Sequence, residues 1–327
     1  MNNMSSINKG NINSKYILEN PESFNLKHIF ECGQCFRWNF NEEDNSYIGI
    51  VEGNVIKVLE EKEIIDGEEI SKYIFTSTIK NNEDLEKLVY RYFDLNRKYT
   101  DIKTEILKKN SLDILGVCKP EDRNIIEHNM SLKEAINYGY GIRILKQDLW
   151  ETVVTYIISA NNNIPRIKGI IEKLALNYGR EIEFENKKYY SFPTPEELSK
   201  ASVQDLRDLG LGFRDKRVYD ITKVFLENKD VFLDLNQDSS KLKSELMKYN
   251  GIGPKVADCI LLFALSRFEI FPVDVWVRRV MNDIYFKKSN EKQLTNDEIL
   301  KFVNRKYGDY AGIVQQYLFY WKRETHE

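Results

Sequence analysis

The sequence predicts an α+β fold in which an N-terminal antiparallel sheet precedes a mostly helical remainder. From Tyr16 to about Tyr99, short runs rich in β-branched and aromatic residues alternate with polar, Gly-containing turns, a pattern typical of strands. Beyond this region, apolar residues recur mainly at helical spacing. A glycine-containing turn at residues 250–254 joins two such apolar segments, which predicts a hairpin between helices.

Length and composition indicate a folded protein. The chain has 327 residues, of which 42% are hydrophobic and 12% aromatic, so it can bury a sizeable core. Its net charge of −3 argues against a sequence-indifferent DNA coat but not against an enzyme with a local basic groove. No apolar run approaches membrane-spanning length, and the N-terminus lacks a signal-peptide core. We expect a cytoplasmic protein without a membrane partner, and a monomer by default.

Residues 1–14 are polar and are predicted to be disordered. Residues 15–115 are assigned to the sheet domain, with strands predicted at FRWNF, SYIGIVEG, NVIKVLE and KYIFTSTI. The runs YRYFDLNRKY and EILKKNSLDIL have helical character and lead into the predicted helical domains, residues 116–327.

In the helical part, one apolar helix is predicted to stop at three consecutive asparagines, residues 161–163. Pro165 suits the first turn of an amphipathic helix that ends near Gly179. Thr194 and Ser202 are capping signals for two short helices. Further helices are predicted over Lys216–Phe225, Val275–Ile284, a segment near Asp297–Tyr307, and residues 308–322.

The predicted hairpin belongs to a helix-hairpin-helix motif over residues 242–267. Gly251 and Gly253 allow backbone angles closed to other residues, and Pro254 suits the first turn of a helix. The free N–H groups of the hairpin and of the second helix could bind an anion, for which a DNA phosphate is the natural candidate.

Lys255 and Asp274 add candidate chemistry to this binding element. Lys255 lies at the positive end of the second helix, where an ammonium should lose its proton more easily and become a nucleophile able to form Schiff bases. Asp274 precedes the next helix, which its carboxylate could cap while staying ionised. From spacing alone, a phosphate-binding surface lysine and a plain helix cap are the slightly favoured interpretations.

The four cysteines do not predict a metal site. Cys32 and Cys35 have the CxxC spacing of a metal or redox motif, but the other two cysteines, Cys118 and Cys259, form no second pair. The chain also has only three histidines. Chance therefore explains the spacing best, and no metal or organic cofactor is predicted.

The segments GIGPKVADC and FPVDVWVRRV together resemble the helix-hairpin-helix DNA glycosylases with a catalytic lysine, specifically the 8-oxoguanine branch. Five motifs in the expected order extend the resemblance from about Gly33 to Phe319. It implies a helical glycosylase core with an N-terminal TBP-like sheet domain. It also implies that the hairpin, with Gly251 and Gly253, grips the DNA backbone, while Lys255 attacks the sugar and Asp274 stabilises the transition state. The hairpin carbonyls could hold a monovalent ion.

The resemblance also implies a base pocket. In this family the glycine of a GQxFRW motif, here Gly33, accepts a hydrogen bond from N7 of the oxidised base, and normal guanine has only a lone pair there. Cys259 would pack on the extruded base, Gln315 would read its Watson–Crick edge, and Phe319 would stack on its ring. Gln316 is the neighbouring alternative for the glutamine. Without the resemblance, these side chains would be ordinary core or edge residues.

On the DNA side, the resemblance assigns Asn161 to the gap left by the extruded base and Arg166 and Arg214 to the opposite cytosine. Phe213, where relatives often carry tyrosine, would be a wedge in the duplex. The simpler alternatives are a capped turn and a packed turn residue. One departure is Trp276, where the family commonly has a phosphate-contacting histidine, and Arg278 or Arg279 could replace that contact.

The sequence therefore predicts a base-excision repair enzyme that removes 8-oxoguanine, preferably opposite cytosine, and then nicks the strand. Its partner would be double-stranded DNA. One rival is a glycosylase for alkylated or other oxidised bases, and Gly33, Gln315 and Phe319 argue against it. The other is a non-catalytic helix-hairpin-helix binding module, which would need neither Lys255 with Asp274 nor a base pocket.

Overall fold

The computed structural model describes residues 14–112, 124–227, 237–285 and 294–325. Residues 1–13 of the segment predicted to be disordered lie outside these ranges, and Ser14 already begins a strand. The predicted domain boundary at residues 115 and 116 and Cys118 also lie outside the described residues.

Five antiparallel strands form the N-terminal sheet, in the spatial order β1-β5-β4-β3-β2. They are β1 (Ser14–Glu19), β2 (Trp38–Asn41), β3 (Ser46–Val51), β4 (Asn54–Ile65) and β5 (Glu68–Ser77). Four of them correspond to the predicted strands, whereas β1 was not predicted. Three helices accompany the sheet: α1 (Leu26–Glu31), α2 (Asn82–Tyr92) and α3 (Tyr99–Leu112). This arrangement confirms the predicted α+β class.

The remainder is mostly helical, with one added two-stranded sheet. Its helices are α4 (Asn124–Tyr138), α5 (Leu149–Ser159), α6 (Ile164–Tyr178), α7 (Pro195–Leu198), α8 (Val203–Leu206), α9 (Asp215–Glu227), α10 (Ser239–Leu246), α11 (Pro254–Phe263), α12 (Val275–Tyr285), α13 (Asn296–Tyr307) and α14 (Ala311–Thr325). The small hairpin of β6 (Glu181–Phe184) and β7 (Lys187–Tyr190) was not predicted. The C-terminal helix begins three residues later than expected, because Gly308–Tyr310 form a 3₁₀ turn.

Several helix ends follow from local side-chain chemistry. Asn163 caps α6 by accepting from the Arg166 N–H at 3.0 Å, and Pro165 occupies its first turn. Thr194 and Ser202 both form capping boxes, as their sequence spacing predicted.

The helical core brings α5 against α6, α9 and α11, and α14 against α4 and α12. Arg143 connects this core to the sheet domain, because its buried guanidinium donates to the main-chain carbonyls of Glu22, Phe93, Asp94 and Arg97. These four hydrogen bonds hold the loop between α4 and α5 firmly. Among the described helices, none is both long and apolar enough to cross a membrane.

Candidate active site

The hairpin between α10 and α11 presents free main-chain groups at one end of a groove. Gly251 has a φ of +94°, a conformation that strongly favours glycine. Gly253 does not need this freedom, because its φ is −85°; it caps α11 without any side-chain hydrogen bond. Of the two glycines, Gly251 uses the backbone freedom noted in the sequence and Gly253 does not. A Cβ there would meet nothing within 4 Å, so the approach to the N-terminus of α11 is open.

Lys255 lies in the first turn of α11 and Asp274 immediately before α12, and their side chains line the same small pocket. The Lys255 Nζ lies 5.0 Å from the centre of the Tyr156 ring. Asp274 Oδ1 accepts from the Val277 N–H at 2.7 Å, so this carboxylate caps α12 while also bordering the pocket. Asp274 can therefore cap α12 and still border the same pocket as Lys255.

The pocket is assembled from residues that are far apart in the sequence. It encloses about 40 Å³, and its walls are Gly33, Tyr156, Lys255, Cys259, Phe263, Pro272, Asp274, Gln315, Gln316 and Phe319. All six residues predicted for the lysine, the aspartate and the base site are among them. A space of this size holds only a few water molecules, so a purine base could enter only if the pocket widened.

Gly33 occupies one wall in a conformation that other residues rarely adopt, with a φ of +85°. A Cβ at this position would lie 2.9 Å from Phe319 Cε1 and 3.0 Å from Arg323 Nη1. The absence of a side chain therefore allows the Gly33 backbone to approach the Phe319 ring closely. Gln34 is fully buried beside it and hydrogen-bonds to the main chain of Ile29, Arg143 and Leu145.

Three further pocket residues differ in their polar character. Burial raises the pKa of the Cys259 thiol to about 11, although nearby Lys255 acts in the opposite direction, so the thiol stays neutral at physiological pH. Gln316 Nε2 donates to the Cys32 carbonyl at 3.0 Å. Gln315 Oε1, by contrast, is buried and has no hydrogen-bond partner among the described residues. Of the two glutamines, Gln315 therefore has the polar group free for a ligand.

The residues predicted to contact DNA lie on three neighbouring turns. Asn161 is exposed in the turn between α5 and α6, with a φ of +51°. Arg166 is also exposed, and its Nη2 donates to the Gly210 carbonyl at 3.3 Å. Phe213 is 55% exposed on the 3₁₀ turn Gly212–Arg214, as a wedge would require.

Arg214 is placed differently from its predicted neighbours. It is only 2% exposed, and its guanidinium donates to the carbonyls of Ala160 at 2.9 Å and Asn161 at 2.7 Å. In this structure it therefore supports the Asn161 turn from below. Its contact with the opposite base stays a prediction.

Comparison with known proteins identifies the family. Residues 16–153 match the family model of the N-terminal domain of 8-oxoguanine DNA glycosylase, and residues 154–305 match that of HhH-GPD superfamily base excision DNA repair proteins. The N-glycosylase/DNA lyase of Saccharomyces cerevisiae is 31% identical over 92% of this chain and 84% of its own. The chain belongs to the 8-oxoguanine DNA glycosylase family.

Solved structures of this family share the whole fold. MBOgg1 in complex with a low-affinity DNA ligand is 39% identical, with a TM-score of 0.80, and the match covers 96% of this chain and 97% of that one. The Clostridium acetobutylicum 8-oxoguanine glycosylase/lyase is 34% identical, with a TM-score of 0.78 and the same coverage. This family member is accordingly a base-excision DNA glycosylase with abasic-site lyase activity. The two family models join inside α5, and the domain boundary predicted near residue 115 stays a prediction.

Trp276, where the resemblance predicts a phosphate-contacting histidine, is 38% exposed in the first turn of α12. The Arg279 guanidinium lies 5.6 Å from the centre of its ring. Arg279 is exposed, whereas Arg278 is half-buried. Of the two arginines considered as substitutes for the histidine, Arg279 is therefore the more accessible to DNA.

Sequence reasoning missed two residues at this site. Tyr156 lies in the pocket, but in the sequence it is one more aromatic residue in the apolar stripe of α5. Arg217 lies against the hairpin, where its Cδ is 2.9 Å from the position of a Gly251 Cβ, and its guanidinium is 5.0 Å from the centre of the Phe213 ring. No local sequence signal distinguishes Arg217 from other surface cations on a helix.

Cys32 and Cys35 are buried free thiols. Burial raises the pKa of Cys32 to about 11 and that of Cys35 further, so neither is a ready metal ligand or nucleophile. Across the parts of the chain that the structure describes, no group of three or more His, Cys, Asp and Glu residues could hold a metal ion.

Proposed function

We propose that this glycosylase removes 8-oxoguanine from double-stranded DNA, with cytosine as the preferred opposite base. The observation that carries the proposal is the pocket, where a candidate nucleophile, a carboxylate, an unpaired amide oxygen and the Gly33 backbone meet. The Gly33 carbonyl would accept the N7 hydrogen that 8-oxoguanine has and guanine lacks. Gln315 would bind the Watson–Crick edge.

In the proposed reaction, the neutral Lys255 amine forms a bond to C1′ of the flipped nucleotide. The bond between C1′ and the base breaks; the base leaves with the bonding electrons and takes up a proton, and the attached nitrogen of Lys255 gives one up. Asp274 stabilises the positive charge that develops on the sugar. The bond between C1′ and O4′ then breaks, O4′ takes up a proton, and the nitrogen and C1′ form a Schiff base. Loss of a C2′ proton then expels the 3′ phosphate by β-elimination, and no step needs a metal or an organic cofactor.

The preference for cytosine rests on the DNA-facing turns. Arg166 is exposed beside Asn161, and an arginine fork matches the acceptors of cytosine. The Clostridium acetobutylicum relative has been solved with cytosine opposite 8-oxoguanine in its DNA. Phe213 and Asn161 would fill the space left by the extruded base and so offset part of the cost of flipping, which is a few kcal/mol.

The proposal is tested with a duplex carrying one 8-oxoguanine opposite cytosine in the presence of borohydride, which reduces a Schiff base to a stable adduct. We expect base release, strand cleavage and a covalent adduct from the wild type. Lys255→Gln should bind the damaged duplex but give no base release and no adduct. Lys301→Gln, which changes an exposed lysine on α13 paired with Asp297, is the matched control and should behave as the wild type.

Base release by Lys255→Gln would remove Lys255 from the nucleophile role. Excision of alkylated bases in place of 8-oxoguanine would overturn the proposed substrate. Equal excision opposite all four bases would overturn the cytosine preference alone.

A further inference from the structure

Tyr156 contacts both the candidate nucleophile and the loop that carries Gly33. Its ring centre lies 5.0 Å from Lys255 Nζ, and its hydroxyl donates to the Gln34 carbonyl at 3.1 Å. The ring is stacked on Phe263 with centroids 5.6 Å apart and an interplanar angle of 13°. Phe36 packs edge-on against it at 5.6 Å. Packing on two sides thus holds the ring in one orientation.

The Gln34 carbonyl also accepts a second hydrogen bond, from Gln147 Nε2 at 2.7 Å. The Gln147 main-chain N–H is itself held by the Phe263 carbonyl at 2.9 Å. Because the Gln34 side chain is bonded to the main chain as well, this residue is fixed at both ends. The direction of the preceding Gly33 carbonyl depends on the orientation of Gln34, so the two donors stabilise the surface that would read the base.

We propose that Tyr156 is a positioning residue that sets the distance between the lesion-reading carbonyl of Gly33 and the amine of Lys255. This inference rests on the proposed function. Its ring supports the Lys255 side chain, and its hydroxyl anchors the Gly33–Gln34 loop. A base bound by Gly33 would therefore have its sugar carbon within reach of Lys255, and small displacements of either group are costly in such an arrangement.

Tyr156→Phe tests the hydroxyl while keeping the ring under Lys255. We expect single-turnover release of 8-oxoguanine to slow by about 5-fold to 20-fold, the range for one lost hydrogen bond at a buried carbonyl. Borohydride trapping on a duplex with a preformed abasic site should change by less than about twofold, because no base has to be read there. Gln147→Met removes the second donor to the same carbonyl and should give the same selective loss.

Tyr73→Phe is the matched control, because the Tyr73 hydroxyl lies 3.1 Å from the Phe24 carbonyl within the sheet domain. This substitution should leave the ratio of 8-oxoguanine release to abasic-site trapping unchanged. Three results would overturn the inference: equal losses by Tyr156→Phe on both substrates, no loss on either, or the same selective loss in Tyr73→Phe. Wild-type protein that traps abasic DNA but leaves 8-oxoguanine in place would instead overturn the proposed substrate.

Discussion

The base pocket and the DNA-facing surface differ in how exposed their residues are and in how firmly these are held. The pocket has a volume of about 40 Å³, and Gln316 in its wall and Gln34 next to Gly33 are buried and hydrogen-bonded. On the surface, Phe213 and Arg166 are exposed. Recognition of the base therefore depends on fixed geometry, whereas binding of the duplex depends on accessible charge and an exposed aromatic ring.

Two glycines offer the sharpest test of this contrast, because both have a strongly positive φ and a neighbouring side chain at 2.9 Å from a Cβ. Gly33→Ala should strain the backbone and push on the Phe319 ring, which moves the reading carbonyl. We expect release of 8-oxoguanine to fall by at least about 100-fold, the cost of misplacing reacting groups by about 1 Å. Affinity for an undamaged duplex, measured by fluorescence anisotropy, should stay within about twofold.

Gly251→Ala is the matched change on the surface, where the added methyl would meet the aliphatic part of Arg217. It should weaken binding of damaged and undamaged duplexes alike, with the release rate at saturating enzyme less affected. If Gly33→Ala reduced affinity for both duplexes as much as it reduced base release, the division between pocket and surface would be wrong.

Phe213→Ala should have the next largest effect, because this ring would fill the space that the extruded base leaves in the duplex. Stacking of one aromatic ring on a base contributes about 1–3 kcal/mol, so we expect base release to slow roughly tenfold or more. Trapping on abasic DNA should be affected less. Phe40→Ala, at a ring of β2 that is 48% exposed, is the control and should not change release. A normal rate in Phe213→Ala would show that this ring is only a surface residue.

The sequence was enough to predict residues that line the pocket, but not the residues that hold them in place. Lys255, Asp274, Gln315 and Phe319 lie in motifs that resemble those of the 8-oxoguanine glycosylases, and that resemblance assigned all four to the pocket. The hydroxyl of Tyr156 finds its acceptor 122 residues away, a contact that helical spacing cannot show. Arg214 was assigned to the surface by resemblance, but the carbonyls of the neighbouring turn bind it below that surface.

In the fold, too, elements without a clear local pattern were not predicted. Strands β2 to β5 follow one another through short turns, and their alternating pattern predicted them. Strand β1 pairs with β5 through partners such as Ser14 and Ser77, and no nearby hairpin partner marks it as a strand. The β6–β7 hairpin is short and rich in charged residues, so its pattern resembles that of a loop.

Substitution of Arg217 has the smallest expected effect and tests most directly whether this surface binds DNA through accessible charge. It lines a groove of about 510 Å³ together with Ala160, Tyr249 and the hairpin residues 251–256. We expect Arg217→Met to weaken duplex binding by about threefold to tenfold at low salt and to reduce the slope of log affinity against log salt by about 0.9, the value for one phosphate contact. Arg305→Met, on the exposed face of α13 and in neither the pocket nor the groove, should leave the slope unchanged. An unaltered slope in Arg217→Met would mean that Arg217 supports the Phe213 ring without touching DNA, because loss of packing alone changes affinity but releases no counterion.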